Sequence, residues 1–247
     1  MTKKRLSIIS ISIIILLALF LIYWFYFAKP TLLPSDEQMV EKMNQVFPIA
    51  NVETIQDTIK LDAEHVFVPF ISTDNHYGVS YWEWKMHSWK PVNIDTVGEP
   101  MVWKIDRNDP TSNHILWNIH PEDKVSYANF YLIRDRNYHI SYGEHTYVPK
   151  IQMEETVNFE EKSYGVLQMP DNWRAFMNTA NKLALAQNSQ RYSSSLLQDV
   201  SVYIGWTPFE ENNEVAFPEN SVNGSGYSNG NVDMNFVMFV GESDLEK

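Results

Sequence analysis

From Leu6 to Ala28 the chain carries no charged residue, and Ile and Leu dominate those 23 positions. Lys3, Lys4 and Arg5 stand directly before the run. A helix of that length rises roughly 34 Å, against about 30 Å for the hydrocarbon core of a bilayer. Tyr23, Trp24 and Tyr26 cluster at its far end, where amphipathic rings favour the headgroup layer. The pattern predicts a single-pass transmembrane signal-anchor over residues 6–28, with a cytoplasmic tail at 1–5 and a linker at 29–34. The domain at 35–247 is then expected outside the cell membrane, because the positive charges precede the span. A cleaved leader fits less well. Ala28 has Tyr26 two places before it and Ala18 has Leu16, where a cleavage site wants small residues.

Beyond Pro34 the period of the apolar positions shortens. Ser35 to Phe47 reads as a helix, opened by a Ser35/Gln38 capping box and carrying Met39, Met43, Val46 and Phe47 on one face. Strand character follows over roughly Glu64–Ser72, Tyr77–Ser88, Pro100–Asp106, Asn113–His120, Val125–Arg134 and Asn137–Tyr147. Alternation is clearest where Tyr127, Asn129, Tyr131 and Ile133 interleave with Ala128, Phe130 and Leu132. Asp135-Arg136-Asn137 is placed as a hairpin turn between two strands. A second helix is predicted from Asp171 to about Gln190, with Trp173, Phe176, Met177, Ala180, Leu183, Ala184 and Gln187 on its apolar face. Strands resume near Val200–Trp206 and Val232–Val240, around a polar loop at 210–231. The fold class expected is α+β: an N-terminal transmembrane helix, then one mainly antiparallel β-sheet domain with a flanking helix on either side in sequence.

Composition sharpens the partners. All 31 acidic residues but only 15 of the 19 basic ones lie beyond residue 30, so the domain carries about −16. That balance argues against nucleic acid and against anionic lipid as partners; it would suit a cationic ligand, divalent cations or a basic partner, but simple solubility is the better explanation. The chain has no cysteine, so no disulfide stabilises it, and the core must be built from its 14% aromatic residues.

Candidate chemistry is sparse. Gly226-Tyr227-Ser228-Asn229-Gly230 matches the serine-hydrolase string but lacks the strand before it, the helix after it and any histidine later in the chain. Seven histidines lie in the strand block, without the spacing of a metal motif. A cross-strand pair such as His114 with His139 stays open. Glu154-Glu155, Glu160-Glu161 and Glu210-Glu211 read as solvated doublets, because neighbours in a strand face opposite ways. Asp106 to Pro110 offers oxygens to calcium, though a turn explains it equally well. The most suggestive set is aromatic: Tyr81, Trp82, Glu83, Trp84 and Trp89 would put rings beside a carboxylate if one strand face were open.

The reading that results is a non-catalytic envelope binding or accessory module. Its expected partners are the lipid bilayer through residues 6–28 and another envelope protein, a peptide or a glycan; no cofactor is expected. The alternative is an envelope hydrolase whose carboxylate or metal site is assembled from separate strands. An enzyme would bring at least two of His76, His87, His114, His139 and nearby carboxylates within about 4 Å of one another.

Overall fold

A computed structural model describes residues 3–27, 29–106, 109–141, 143–188, 202–230 and 232–246. Among them are three α-helices and four sheets, and every strand pair but one is antiparallel.

Helix α1 (Lys3–Phe27) occupies the apolar N-terminal run. The transmembrane expectation for residues 6–28 is overturned: among the described residues no helix is long and apolar enough to cross a membrane. The single-pass and transmembrane assignments fall with it. Trp24, expected in a headgroup belt, instead stacks on the ring of His87 with centroids 4.9 Å apart.

Helix α2 (Asp36–Val46) starts as its sequence dictates. Ser35 Oγ accepts from the Gln38 amide at 3.4 Å, and Gln38 Oε1 accepts from the Ser35 amide at 3.2 Å. These bonds satisfy two of the donors that a helix start leaves open. Met39 and Met43 are buried, while Val46, expected on the same face, is exposed.

The first sheet follows. Strands β1 (Val52–Ile55) and β2 (Ile59–Lys60) pair end to end along β3 (His65–Ser72). β3 pairs with β4 (Tyr77–Lys85), and β4 with β5 (Ser88–Asp95). The chain then crosses to a second sheet with β6 (Met101–Lys104) and β7 (Asn113–Asn118), and to a third with β8 (Tyr127–Arg134). β9 (Asn137–Ser141) and β10 (Glu144–Val148) form a hairpin of their own, turning at Gly143 with φ +80°. Asp135-Arg136-Asn137 therefore joins two strands that do not pair with each other. β11 (Ile151–Asn158) returns to β8, and β12 (Tyr164–Gln168) to β7. Helix α3 (Asp171–Asn188) precedes β13 (Val202–Phe209), which pairs with the free side of β8. The expected ends of that helix at 189–190 and of that strand at 200–201 lie outside the described residues.

The last three strands go one to each of the three larger sheets. β14 (Gly226–Ser228) pairs with β5, β15 (Asp233–Phe236) with β6, and β16 (Met238–Phe239), in parallel, with β13. The single strand predicted at Val232–Val240 is thus divided at Val237 between two sheets.

The three larger sheets stack, and the side-chain alternation shows how. Met39 and Met43 of α2 cover one face of the first sheet, against Val66, Val68, Phe70, Trp82 and Ile94. Its other face meets the second sheet through Phe67, Val79, Tyr81, Trp103 and Leu116. The opposite face of the second sheet, with Ile115 and Trp117, packs on Phe130 and Leu132 of β8, Trp206 of β13 and Trp173 of α3. β7 lies in the middle, so all six of its residues are buried. At roughly 1.5–3 kcal/mol for each large apolar side chain removed from water, these interfaces supply most of the stabilisation.

Candidate ligand pocket between the first two sheets

The aromatic set singled out in the sequence divides between two buried faces. Trp82, Trp84 and Trp89 lie under α2, and their ring nitrogens serve the fold: Trp82 Nε1 donates to Ser80 Oγ at 2.9 Å and Trp89 Nε1 to the Thr31 carbonyl at 3.0 Å. Glu83 is mostly buried at the far end of β4, with a carboxylate oxygen 4.0 Å from His65 Nε2. Neither face of β4 is open. Tyr81 differs from the others, because it lines a cavity.

That cavity holds about 240 Å³ between the first and second sheets. The first sheet contributes Val79, Tyr81, Asn93, Asp95 and Ser228. The link from β5 to β6 contributes Val97 and Glu99, and Met101, Met234 and Phe236 come from the edge of the second sheet. The register explains the convergence. Tyr81 pairs with Asn93 and Val79 with Asp95, so the polar ends of β4 and β5 meet at the place where the chain leaves the first sheet. Two glycines permit the closure. A Cβ on Gly98 would lie 2.1 Å from the Asn118 carbonyl oxygen, and one on Gly224 would lie 2.5 Å from Asp95 Oδ1. Ser225 and Thr96 then stitch the polar loop over β5, each backbone amide donating across to the other residue.

The electrostatics are unusual for a wall between sheets. Burial pushes the Asp95 carboxyl up to about 6, against the pull of the Val97 and Thr96 amides. Val97 N donates to Asp95 Oδ1 at 3.1 Å. Burial also raises Glu99, and the charge of Asp95 adds to it. Tyr81 is 0% exposed, and its hydroxyl is raised first by burial and then by the charges of Asp95 and Glu99. Among the described residues that hydroxyl has no hydrogen-bond partner. Among the described lining residues none is basic. A buried hydroxyl without a partner costs about 1–3 kcal/mol, and uncompensated buried carboxylates cost more.

The other sequence candidates do not converge. His65 Nδ1 meets Asp62 at 2.9 Å, His114 Nδ1 meets the Ser112 carbonyl at 2.9 Å, and His120 Nε2 meets the Asn75 carbonyl at 3.0 Å. Burial holds His114 below the usual histidine range. β7 and β9, which carry His114 and His139, are not neighbours, and the His139 side chain lies outside the described residues. His76 and His145 are exposed. Among the described residues no group of three or more His, Asp or Glu is placed to hold a metal. Residues 107 and 108 of the proposed calcium turn lie outside the described residues. Ser228 of the hydrolase-like string sits in β14 and is followed by β15 rather than by a helix. The doublets Glu160-Glu161 and Glu210-Glu211 do come together, on the rim of an open groove of about 800 Å³ with His120, Lys124 and Lys162.

Asp95, Glu99 and Asn93 were missed in the sequence. The signal was weak but present: in Val92-Asn93-Ile94-Asp95 polar and apolar residues alternate, and Pro91 obscured the strand. No protein-family model, curated protein or solved structure matches the chain.

Proposed function

We propose that the protein is a non-catalytic binding module that takes a small organic ligand into the cavity between its first two sheets. One observation carries this reading: the fully buried Tyr81 hydroxyl lacks a partner on the wall of a cavity that also holds two carboxylates. Buried polar groups are hydrogen-bonded in the great majority of cases, so an exception on the wall of a cavity supports a place there for an external partner. The mixture of an apolar wall with a few convergent polar groups is the usual make-up of a ligand site.

A second reading, hydrolysis by a carboxylate pair, draws on the same Asp95, since a carboxyl titrating near 6 exchanges protons close to neutrality. It is the weaker reading. Among the described residues the Tyr81 hydroxyl has no hydrogen-bond partner, whereas an activated nucleophile needs a base within reach.

The test is a thermal-shift screen of small organic molecules against the full chain and against Ser228→Trp, whose indole would fill the mouth of the cavity. Compounds that raise the melting temperature of the native chain and leave the variant unmoved are expected. If every stabilising compound acts equally on both proteins, the cavity is not the site and the reading fails.

A further inference from the structure

We infer that the ligand of this cavity is a primary alkylammonium ion, its head held by Asp95, Glu99 and Tyr81 and its stem laid against the apolar wall. The inference rests on the binding-module reading above and names the chemistry of the same site.

The charges point first. Two carboxylates face one small space, and none of its described lining residues is basic. An anionic ligand would add to the repulsion that already raises Glu99. A cation would relieve it, because an opposite charge within a few ångströms favours the ionised carboxylate. Donor count points next. An alkylammonium head has three N–H donors and no acceptor. The cavity offers a matching set of acceptors in the Asp95 and Glu99 carboxylates and the phenolic oxygen of Tyr81. Tyr81 then gains the partner that none of the described residues gives it. Asn93 and Ser228 remain to replace water near the mouth.

Shape and size discriminate further. Val97, Met101, Val232, Met234 and Phe236 form a wall with no polar side-chain group other than the weakly accepting thioether sulfurs, suited to a hydrocarbon stem. The 240 Å³ volume falls below the ~300–1,000 Å³ of sites for drug-sized ligands, so the stem is short. A bare divalent cation fits poorly, since calcium takes about six to eight oxygens and leaves an apolar wall unused.

The site also carries its own pH dependence. The titratable groups facing Asp95 are Glu99 from the β5–β6 link and Tyr81 from β4. The residues of β6, β14 and β15 that line the cavity are Met101, Ser228, Met234 and Phe236, and none of them titrates. Asp95 releases its proton at about 6, so its carboxylate is mostly charged at pH 7.5 and mostly protonated at pH 5.

Isothermal titration of the full chain with n-butylammonium, n-butanol, calcium chloride and Nα-acetyl-lysine amide tests this. Butylammonium is expected to bind at pH 7.5, about tenfold or more tightly than butanol, and to weaken by a similar factor at pH 5. Asp95→Asn and Glu99→Gln, checked for folding by circular dichroism, should each weaken it about tenfold, and Tyr81→Phe by less. Equal binding of the lysine derivative identifies a lysine side chain of a partner as the source of the head; preference for butylammonium identifies a free amine. Butanol binding as tightly as butylammonium, or calcium binding in its place, overturns the ammonium and leaves a ligand site standing. Failure of every probe, together with no difference between native chain and Ser228→Trp in the screen, overturns both.

Discussion

Asp95 contributes unfavourably to the stability of the ligand-free fold at neutral pH. Its carboxyl titrates at about 6 in the folded chain against 3.8 for the ordinary group. The fold therefore favours the protonated form. Any stability linked to this proton is fully present below about pH 4 and is lost as the pH rises through about 6. Asp95→Asn should then raise stability at pH 7.5 by on the order of 1–3 kcal/mol, and the gain should vanish near pH 3.5. Melting curves of both proteins at the two pH values check the sign. Tyr81→Phe should leave the empty protein as stable as before, or stabilise it by up to about 1 kcal/mol, because it removes a buried hydroxyl that bonds to nothing. Urea midpoints measure this. A residue that weakens the empty protein and is needed for ligand differs in kind from Trp82, whose 0% exposure reflects packing. Sequence pattern could flag Tyr81 as one of five aromatic-strand candidates. It could not separate Tyr81 from the tryptophans, because burial on either face of a strand leaves the same alternation.

Among the elements, those defined by local signals were the legible ones. Ser35 and Gln38 announced α2, and Trp173, Phe176 and Met177 announced the side of α3 that packs on the β-sheets. β5 was hidden, because Pro91 sits inside it and a bulge opposite Tyr81 and Trp82 breaks its alternation. The apolar run at the N-terminus was legible as a helix, but what it packs on depends on contacts remote in sequence, such as Trp24 with His87. The turn between β4 and β5 is a local feature with an energetic handle. Met86 at φ 52° and His87 at φ 60° both occupy the left-handed region that the tightest hairpin turns demand. A side chain such as methionine is disfavoured there by about 1–2 kcal/mol, and asparagine by less. Met86→Asn should therefore raise the melting temperature, with a gain of about 0.5–1 kcal/mol in chemical unfolding. Met86 is exposed, so the change leaves the packing of Trp84 and His87 intact.

At the scale of the whole molecule, one polar side chain holds two layers together. Asn118, 0% exposed at the end of β7, donates to the Phe70 and Gly78 carbonyls at 3.2 and 2.8 Å and to Gln56 Oε1 at 2.7 Å. Its own carbonyl oxygen accepts from Ser163 Oγ at 3.0 Å. The second sheet is thereby fixed in register against the first, and the cavity wall with it. Asn118→Ala should cost about 2–4 kcal/mol, since it strands two buried carbonyls, and Asn118→Asp should cost a comparable amount because a carboxylate cannot donate to them. Denaturant titration followed by tryptophan fluorescence measures both. This layering was not legible in the sequence. Asn113, His114 and Asn118 put polar residues at both ends of β7, as a strand with exposed ends would, and only the second covering sheet makes both of its faces interior.

The placement of the last strands has a consequence for synthesis. Residues 226–239 supply one strand each to three separate sheets, so until that segment has cleared the ribosome each sheet lacks a member. Exposed edges of β5, β6 and β13 would then wait, unpaired, on a nascent chain that is otherwise almost complete. Holdase chaperones should accordingly crosslink to ribosome-bound chains halted just before residue 226, and release them once the segment emerges.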